Sequence, residues 1–119
     1  MANEPPAGLV PYLEWRAGPA LRGVLVYDEH GYEMRYLDTA SRRQFEREIE
    51  AVVGWLRTDD SPLSDAVLPY GEYEAAVYVL ERAILVVLPS DDGRGTMIAL
   101  DPDAALQLTG FVEECLARV

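Results

Sequence analysis

The spacing of hydrophobic residues changes several times along the first third of the chain, and each change predicts an element. Apolar residues recur at helical spacing between residues 9 and 17, before a Gly-Pro pair, which predicts a short first helix. A continuous apolar run at residues 24 to 27 predicts a strand buried on both faces. Residues 28 to 31 have turn chemistry and residues 32 to 36 alternate, so the two strands are predicted to form a hairpin.

The hydrophobic period lengthens again in the middle of the chain. From about residue 40 to residue 57 the apolar side chains fall on one helical stripe, which predicts an amphipathic helix. Apolar runs at residues 73 to 80, 83 to 88 and 96 to 100 predict three further strands. An Asp followed by Pro after residue 100 predicts the start of a final helix. Its predicted buried stripe consists of Ala105, Leu108, Val112, Cys115 and Val119.

The order of these elements is α-β-β-α-β-β-β-α, and the connections between neighbouring strands are short. Short connections favour antiparallel hairpins, so we predict an α+β fold with a five-stranded antiparallel sheet and helices packed on it. A length of 119 residues fits one domain. Residues 1 to 8 are polar and rich in Pro and Gly, and we expect a disordered tail there, which leaves residues 9 to 119 as the domain.

The charge of the chain restricts its possible partners and environment more than its length does. It carries 21 acidic residues against 10 basic ones, every basic residue is Arg, and the net charge is -11. Such a charge argues against nucleic acid and anionic membranes as partners, because both are polyanions. An acidic surface without Lys is expected in a halophile cytosol, where the Debye length falls to about 3 Å at 1 M salt. A merely acidic protein with an arginine bias is the alternative.

The cellular location is predicted from what the sequence lacks. No basic segment followed by an apolar core opens the chain, and no apolar run approaches the roughly 20 residues that span a bilayer. The single Cys115 excludes an internal disulfide and fits a reducing compartment. We therefore expect a cytoplasmic protein.

Candidate catalytic and metal-binding residues are few. His30, the one histidine, lies in a predicted hairpin turn, and Cys115 lies on the apolar stripe of the last helix. Neither position favours a nucleophile beside a base, so we predict no enzyme, no cofactor and no metal site. The carboxylates of Asp91, Asp92, Asp101 and Asp103 could gather at one end of the sheet and hold a hard cation. A solvated acidic surface is the simpler interpretation, and an enzyme that uses such carboxylates is the least favoured function.

The aromatic composition points toward a contact surface. Seven tyrosines and two tryptophans accompany only two phenylalanines, and Tyr and Trp are favoured where a surface is half apolar and half wet. Trp55 lies to one side of the apolar stripe of the second predicted helix. It is therefore either an aromatic residue at the edge of the core or a contact in a subunit interface.

Several segments resemble known proteins. Residues 23 to 31, GVLVYDEHG, resemble the first hairpin of the roadblock (dynein light chain) family of profilin-like domains, and residues 83 to 88, AILVVL, resemble its fourth strand. With the element order, this resemblance covers nearly the whole chain from about residue 8. Residues 23 to 37 and 99 to 105 are also similar to uncharacterised small proteins of halophilic archaea.

The roadblock resemblance implies a non-enzymatic domain that dimerises and serves as a platform for a small GTPase or a scaffold protein. Family dimers pair through the second helix and the third strand, which correspond here to residues 40 to 57 and 73 to 80. The interface residues implied on this chain are Phe45, Ile49, Val52, Trp55, Tyr73, Val77 and Tyr78. The alternative is a small-molecule sensor of profilin-like fold, with a pocket lined by Tyr32, Met34 and Tyr36.

Overall fold

A computed structural model describes residues 5–57, 69–71, 74–90, 93–103 and 108–119. Short 3₁₀ turns lead into the first strand and into the second helix. The helices are α1 (Leu9–Ala17), α2 (Arg42–Arg57) and α3 (Leu108–Leu116), and the strands are β1 (Leu21–Tyr27), β2 (Tyr32–Leu37), β3 (Ala76–Val79), β4 (Ile84–Pro89) and β5 (Gly95–Leu100).

The five strands form one antiparallel sheet in the order β2-β1-β5-β4-β3. This arrangement confirms the predicted α+β fold and the predicted order of helices and strands. The strand predicted over residues 73 to 80 is shorter than expected and comprises β3 alone. Strands β2 and β3 are the two edges of the described sheet, and β1, β5 and β4 form its buried centre.

A β-bulge in the first hairpin decides where the side chains of β2 lie. Val24 is opposite Tyr36, whereas the next residue, Leu25, is opposite Met34, so Arg35 is an extra residue in β2. The alternation of β2 therefore reverses at this point. Tyr36 packs with the core on one face of the sheet and Met34 with the core on the other. The expectation that they share one face was wrong, because uninterrupted alternation assumes a ladder without bulges.

Helices α1 and α3 together cover one face of the sheet, called here the two-helix face. Phe111 and Cys115 of α3 are buried beside Tyr12 and Leu13 of α1. Val119, predicted for the buried stripe of the last helix, is instead exposed beyond its end. The sheet residues that complete this core are Leu21, Val24, Ile84, Val86, Leu88, Ile98 and Leu100.

Arg118 joins the two helices of this face near the end of the chain. Its guanidinium lies 3.9 Å from the centre of the Tyr12 ring, and its Nε donates a hydrogen bond to the carbonyl of Pro6 at 2.9 Å. Its Nη1 donates to the carbonyl of Glu114 at 2.8 Å. Burial raises the pKa of the Tyr12 phenol, and the nearby Arg118 opposes that shift. Pro6, in the segment expected to be a tail, is held by this contact.

Of the helices described, α2 is the one that covers the opposite face, called here the one-helix face. Ile49, Val53 and Leu56 are buried along the stripe that the sequence predicted. Phe45 and Val52 lie beside them and are only partly buried. The sheet residues that they contact are Leu25, Tyr27, Val87 and Met97.

Candidate functional site

The residues implied as an interface are distributed over both faces of the sheet. On α2, Phe45, Ile49 and Val52 point toward the chain's own sheet, and Ile49 is 6% exposed. Val77 packs against the two-helix face. Tyr73 lies outside the described residues. A role for these positions in contacting a partner stays a prediction.

Trp55 and Tyr78 meet at the surface where α2 passes β3. Their ring centres are 5.0 Å apart and the rings are inclined by 77°, an edge-to-face contact. Beyond Tyr78, the side chains of Val79 and Leu80 are 73% and 51% exposed, and Trp55 is 38% exposed. These four residues, Trp55, Tyr78, Val79 and Leu80, form what is called here the β3 surface. The sequence alone did not mark Val79 and Leu80, because only the strand order makes β3 an edge.

The backbone of β3 has a defined pattern of hydrogen bonds. Leu80 N–H donates to the carbonyl of Ala83 at 2.8 Å, closing the turn to β4. Hydrogen-bonded and non-bonded pairs alternate along an antiparallel ladder, so Tyr78, opposite Leu85, forms the next bonded pair. Val77 and Val79 therefore direct their N–H and carbonyl groups away from β4, along the edge of the sheet.

A cavity of about 470 Å³ opens between the N-terminal half of α2 and the sheet. Its walls are mostly apolar, and its described lining includes Phe45, Ile49 and Val52 from the helix. Small residues on the sheet side create the space. Ala83 and Ala99 line the cavity, so no long side chain rises toward the helix at these two positions. We call this space the α2 cavity.

Polar and charged side chains surround the mouth of the α2 cavity. Arg22 binds the carboxylate of Asp101, and its Nη1 lies 3.7 Å from an oxygen of Asp38 and 3.4 Å from the hydroxyl of Ser41. The backbone N–H of Asp103 and the Arg22 guanidinium stabilise the Asp101 carboxylate, so its pKa is lowered. Arg22 thus connects β1 to the segments that precede α2 and follow β5.

The two other candidate residues, His30 and Cys115, lie in a hydrogen-bonded turn and in the core. The Asp28 carboxylate accepts hydrogen bonds from the backbone N–H groups of His30 and Gly31, which lowers the Asp28 pKa and fixes the turn that contains His30. Burial raises the pKa of the Cys115 thiol to about 11, so the thiol stays protonated at neutral pH. His30 is therefore part of a turn held by Asp28, and Cys115 is a buried residue of the core.

The predicted carboxylate cluster is only partly described. Asp101 accepts a hydrogen bond at 2.9 Å from the backbone N–H of Asp103, and the two residues follow the end of β5. Asp91 and Asp92 lie outside the described residues. Within the described ranges, no group of three or more His, Cys, Asp or Glu side chains is placed to hold a metal ion. None of the helices described is long and apolar enough to cross a membrane.

Comparison with known proteins places the chain in a family. Residues 7–119 match the family model described as a domain of unknown function, DUF7522, and the chain belongs to that family. The match covers the whole predicted domain, including all eight helices and strands. No curated protein matches the sequence. The family description assigns no activity, so the geometry of the β3 surface and of the α2 cavity has to support any functional proposal.

Proposed function

We propose that the protein is a non-enzymatic interaction module that forms a homodimer through the β3 surface. The observation that carries the proposal is the exposure of Val79 at the end of an edge strand and of Leu80 directly after it, with the pair of Trp55 and Tyr78 on the other side of the strand from Val79. An exposed apolar edge strand is a template for pairing with another chain. Trp and Tyr are also enriched at the centres of protein interfaces. The β3 surface combines both features in one place.

Two-fold symmetry restricts how two copies of β3 can pair. An axis perpendicular to the sheet makes the strands antiparallel and leaves each side chain on its own face. Residues directly opposite each other share a face, so the numbers of the two paired residues must differ by an even number. In an antiparallel pair of identical strands, this requires that one residue lies on the axis, opposite its own copy. Pairing centred on Tyr78 places Val77 opposite Val79, and these are the residues whose backbone groups point along the edge. This register forms four hydrogen bonds across the axis.

The charges next to β3 agree with this register. Pairing centred on Tyr78 brings Glu74 of one copy toward Arg82 of the other, and the axis repeats the contact. Both residues are exposed. A carboxylate and a guanidinium therefore face each other at each end of the paired strands. Most other contacts between two chains of net charge -11 are repulsive. The four side chains of the β3 surface carry no charge and add nothing to this repulsion.

The environment and the partners of the dimer follow from the composition and the resemblance. The Lys-free, acidic composition supports a halophile cytosol, in which concentrated salt screens the repulsion between the copies. The resemblance to roadblock domains supports a small GTPase or a scaffold protein as the partner of the assembled dimer. Nucleic acid and anionic membranes stay excluded from the proposal by the charge.

The oligomeric state in concentrated salt tests the proposal. Light scattering in multimolar KCl is expected to give a dimer mass, and dilute buffer is expected to loosen the dimer. Val79→Pro removes an N–H that points along the edge and leaves the bonds between β3 and β4 intact, so this variant should be a folded monomer. Val79→Thr is the matched control, since Thr keeps the N–H and the β-branched shape, and it should stay dimeric. A wild-type monomer in both buffers would overturn the proposal.

The register can be tested by oxidation of introduced cysteines. Tyr78→Cys places the new thiol opposite its own copy in a non-bonded pair, where Cβ atoms come within disulfide range. Val79→Cys lies opposite Val77 of the other copy and should cross-link little, although it is the more exposed position. The buried Cys115 provides a low background because its pKa is raised to about 11. Stronger cross-linking at position 79 than at position 78 would contradict this register.

A further inference from the structure

We infer that the α2 cavity is a binding site for a small, neutral, mostly apolar molecule with one hydrogen-bonding end. The cavity lies beneath α2 and meets the β3 surface at Leu80, which belongs to both. The inference concerns a ligand held within one copy of the chain, so it goes beyond the proposed dimer and does not need the dimer to form. Its volume of about 470 Å³ lies within the range of small-molecule sites, roughly 300–1,000 Å³.

The shape of the cavity comes from the distribution of side-chain size on the one-helix face. Under the C-terminal half of α2 the sheet presents Leu25 and Val87, which fill the space below Val53 and Leu56. Toward the N-terminal half it presents the small residues Ala83 and Ala99, with Met97 between them and the core. The helix therefore rests on large side chains mainly at its C-terminal end. The gap at the other end is a consequence of residue size and does not require any movement of the helix.

The walls of the cavity favour an apolar ligand body. Phe45 and Val52 from α2 and Leu85 from β4 reach into the lining while staying partly exposed. Met97 closes the floor and is buried. Water against such walls makes few hydrogen bonds, so an apolar molecule that replaces it gains affinity. A ligand body of alkyl or aryl carbon matches this surface.

The rim of the cavity favours a neutral polar end. Two arginines, Arg22 and Arg82, and two acids, Glu48 and Glu81, line the mouth, so the charges of the rim balance. Arg22 is already paired with Asp101 and stands near Asp38. An anionic ligand would also approach a chain of net charge -11. The hydroxyl of Ser41 and the amide of Gln44 make only long hydrogen bonds, of 3.4 to 3.5 Å, to Arg22, Asp38 and Glu48, and these can be exchanged for bonds to an uncharged end.

Three probes of equal chain length test the ligand class. We propose to titrate 1-hexanol, hexanoate and hexylammonium into the ¹⁵N-labelled protein in concentrated KCl and to follow the backbone amide signals. Hexanol is expected to shift the amides of Ala83 and Ala99 in a saturable manner, about tenfold more tightly than either charged probe. The tightest binding by hexanoate or by hexylammonium would overturn the neutral ligand class.

Filling the cavity tests its location. Ala99→Leu and Ala83→Leu extend into the α2 cavity from different strands, and each should weaken hexanol binding by at least about tenfold. Ala51→Leu is the matched control, because Ala51 lies on the exposed side of α2 and is not part of the described lining. If both filled variants bind hexanol as the wild type does, or if hexanol gives no saturable shift, the assignment of the site is wrong.

The monomeric variant separates this inference from the proposed dimer. Val79 is not among the described lining residues of the α2 cavity, and its substitution by Pro leaves the hydrogen bond from the neighbouring Leu80 to Ala83 in place. Hexanol should therefore bind this variant with the affinity of the wild-type protein. Loss of hexanol binding in Val79→Pro would contradict a site contained within one copy of the chain.

Discussion

The two faces of the sheet are covered by the same chain but are packed to different degrees. On the two-helix face, Leu13, Phe111 and Cys115 are essentially inaccessible to solvent. On the one-helix face, Ile49 is buried, but Phe45 beside it is partly exposed and borders a cavity of about 470 Å³. The comparison shows that one face maintains the fold while the other retains accessible apolar surface.

The number of helices explains this difference. Five strands about 4.8 Å apart make a sheet roughly 19 Å wide, whereas one helix with its side chains is only about 10–12 Å across. Helices α1 and α3 together can cover such a width, and α2 alone cannot. Apolar surface that α2 leaves open on the one-helix face therefore includes Tyr78 and Leu80 at one side and the α2 cavity beneath the helix, whereas Val79 lies with Val77 on the two-helix face.

The largest expected contrast comes from the two phenylalanines of the chain, one on each face. Phe111→Ala should lower the free energy of unfolding by about 3–5 kcal/mol, because it leaves a closed void among buried residues. Phe45→Ala should lower it by about 1–2 kcal/mol, since this side chain is partly exposed and already borders open space. Denaturant unfolding in concentrated KCl measures both losses. Equal losses would show that the two faces are packed alike.

Small-to-large substitutions should again cost more on the two-helix face. Cys115→Leu is expected to destabilise the protein by about 1–3 kcal/mol, because the two-helix face has no room for extra carbon atoms. Ala99→Leu should change the free energy of unfolding by no more than about 0.5 kcal/mol, because the added atoms enter the α2 cavity. Thermal unfolding compares the two variants, with light scattering as a check that their mass is unchanged. A larger loss for Ala99→Leu would contradict an open cavity.

A pair of arginines tests the same comparison at the surface. Arg118→Met removes the contact with the Tyr12 ring and the hydrogen bond to Pro6, and it should cost about 1–2 kcal/mol. Arg42→Met on α2 removes only an exposed ion pair with Glu46, 3.9 Å long, and should cost less than about 0.5 kcal/mol. Chemical denaturation of both variants at one salt concentration gives the difference. Similar values would mean that Arg118 does not join α1 to α3.

The smallest expected effect concerns the pH dependence of stability. The pKa of Asp101 is lowered from its ordinary value of 3.8, so the folded state binds fewer protons than the unfolded chain. The resulting stabilisation is complete above about pH 4 and is lost as the pH falls through the lowered folded-state pKa. Asp101→Asn should therefore be less stable than the wild type at neutral pH, and the two should converge in acid.

Asp28 provides the control for this experiment at the opposite end of β1. Its pKa is lowered in the same direction, first by the backbone N–H of His30 and then by that of Gly31. The side-chain oxygen of Asn can still accept these hydrogen bonds, so Asp28→Asn should lose less stability than Asp101→Asn. Thermal unfolding between pH 2 and 7 measures both curves. A difference between Asp101→Asn and the wild type that persists unchanged into acid would rule out the carboxylate as its source.

Local patterns predicted much of the fold. The helical stripe of α2, the hairpin of β1 and β2, and the Asp at the end of β5 are all visible in the sequence, because each depends on residues close together along the chain. The orientation of Tyr36 was not predictable in this way. The bulge at Arg35 depends on how β2 pairs with β1, and alternation along β2 alone does not show it.

The candidate sites were less predictable than the fold, for a related reason. The sequence left Trp55 as either an aromatic at the edge of the core or an interface contact, and Tyr78 was implied only by the resemblance. Their contact depends on the packing of α2 against β3. The space of the α2 cavity comes from Ala83 and Ala99, which lie on different strands of the sheet. No sequence pattern links these two residues.

The sequence by itself determined the order and type of the elements, the strongly acidic character, and the apolar stripes that drive burial, since these are properties of composition and short-range periodicity. Only the tertiary structure decided which stripes are covered by two helices and which by one, which strand becomes an edge, and where small residues coincide. Those features depend on which distant segments become neighbours, and that is settled by the packing of the whole chain.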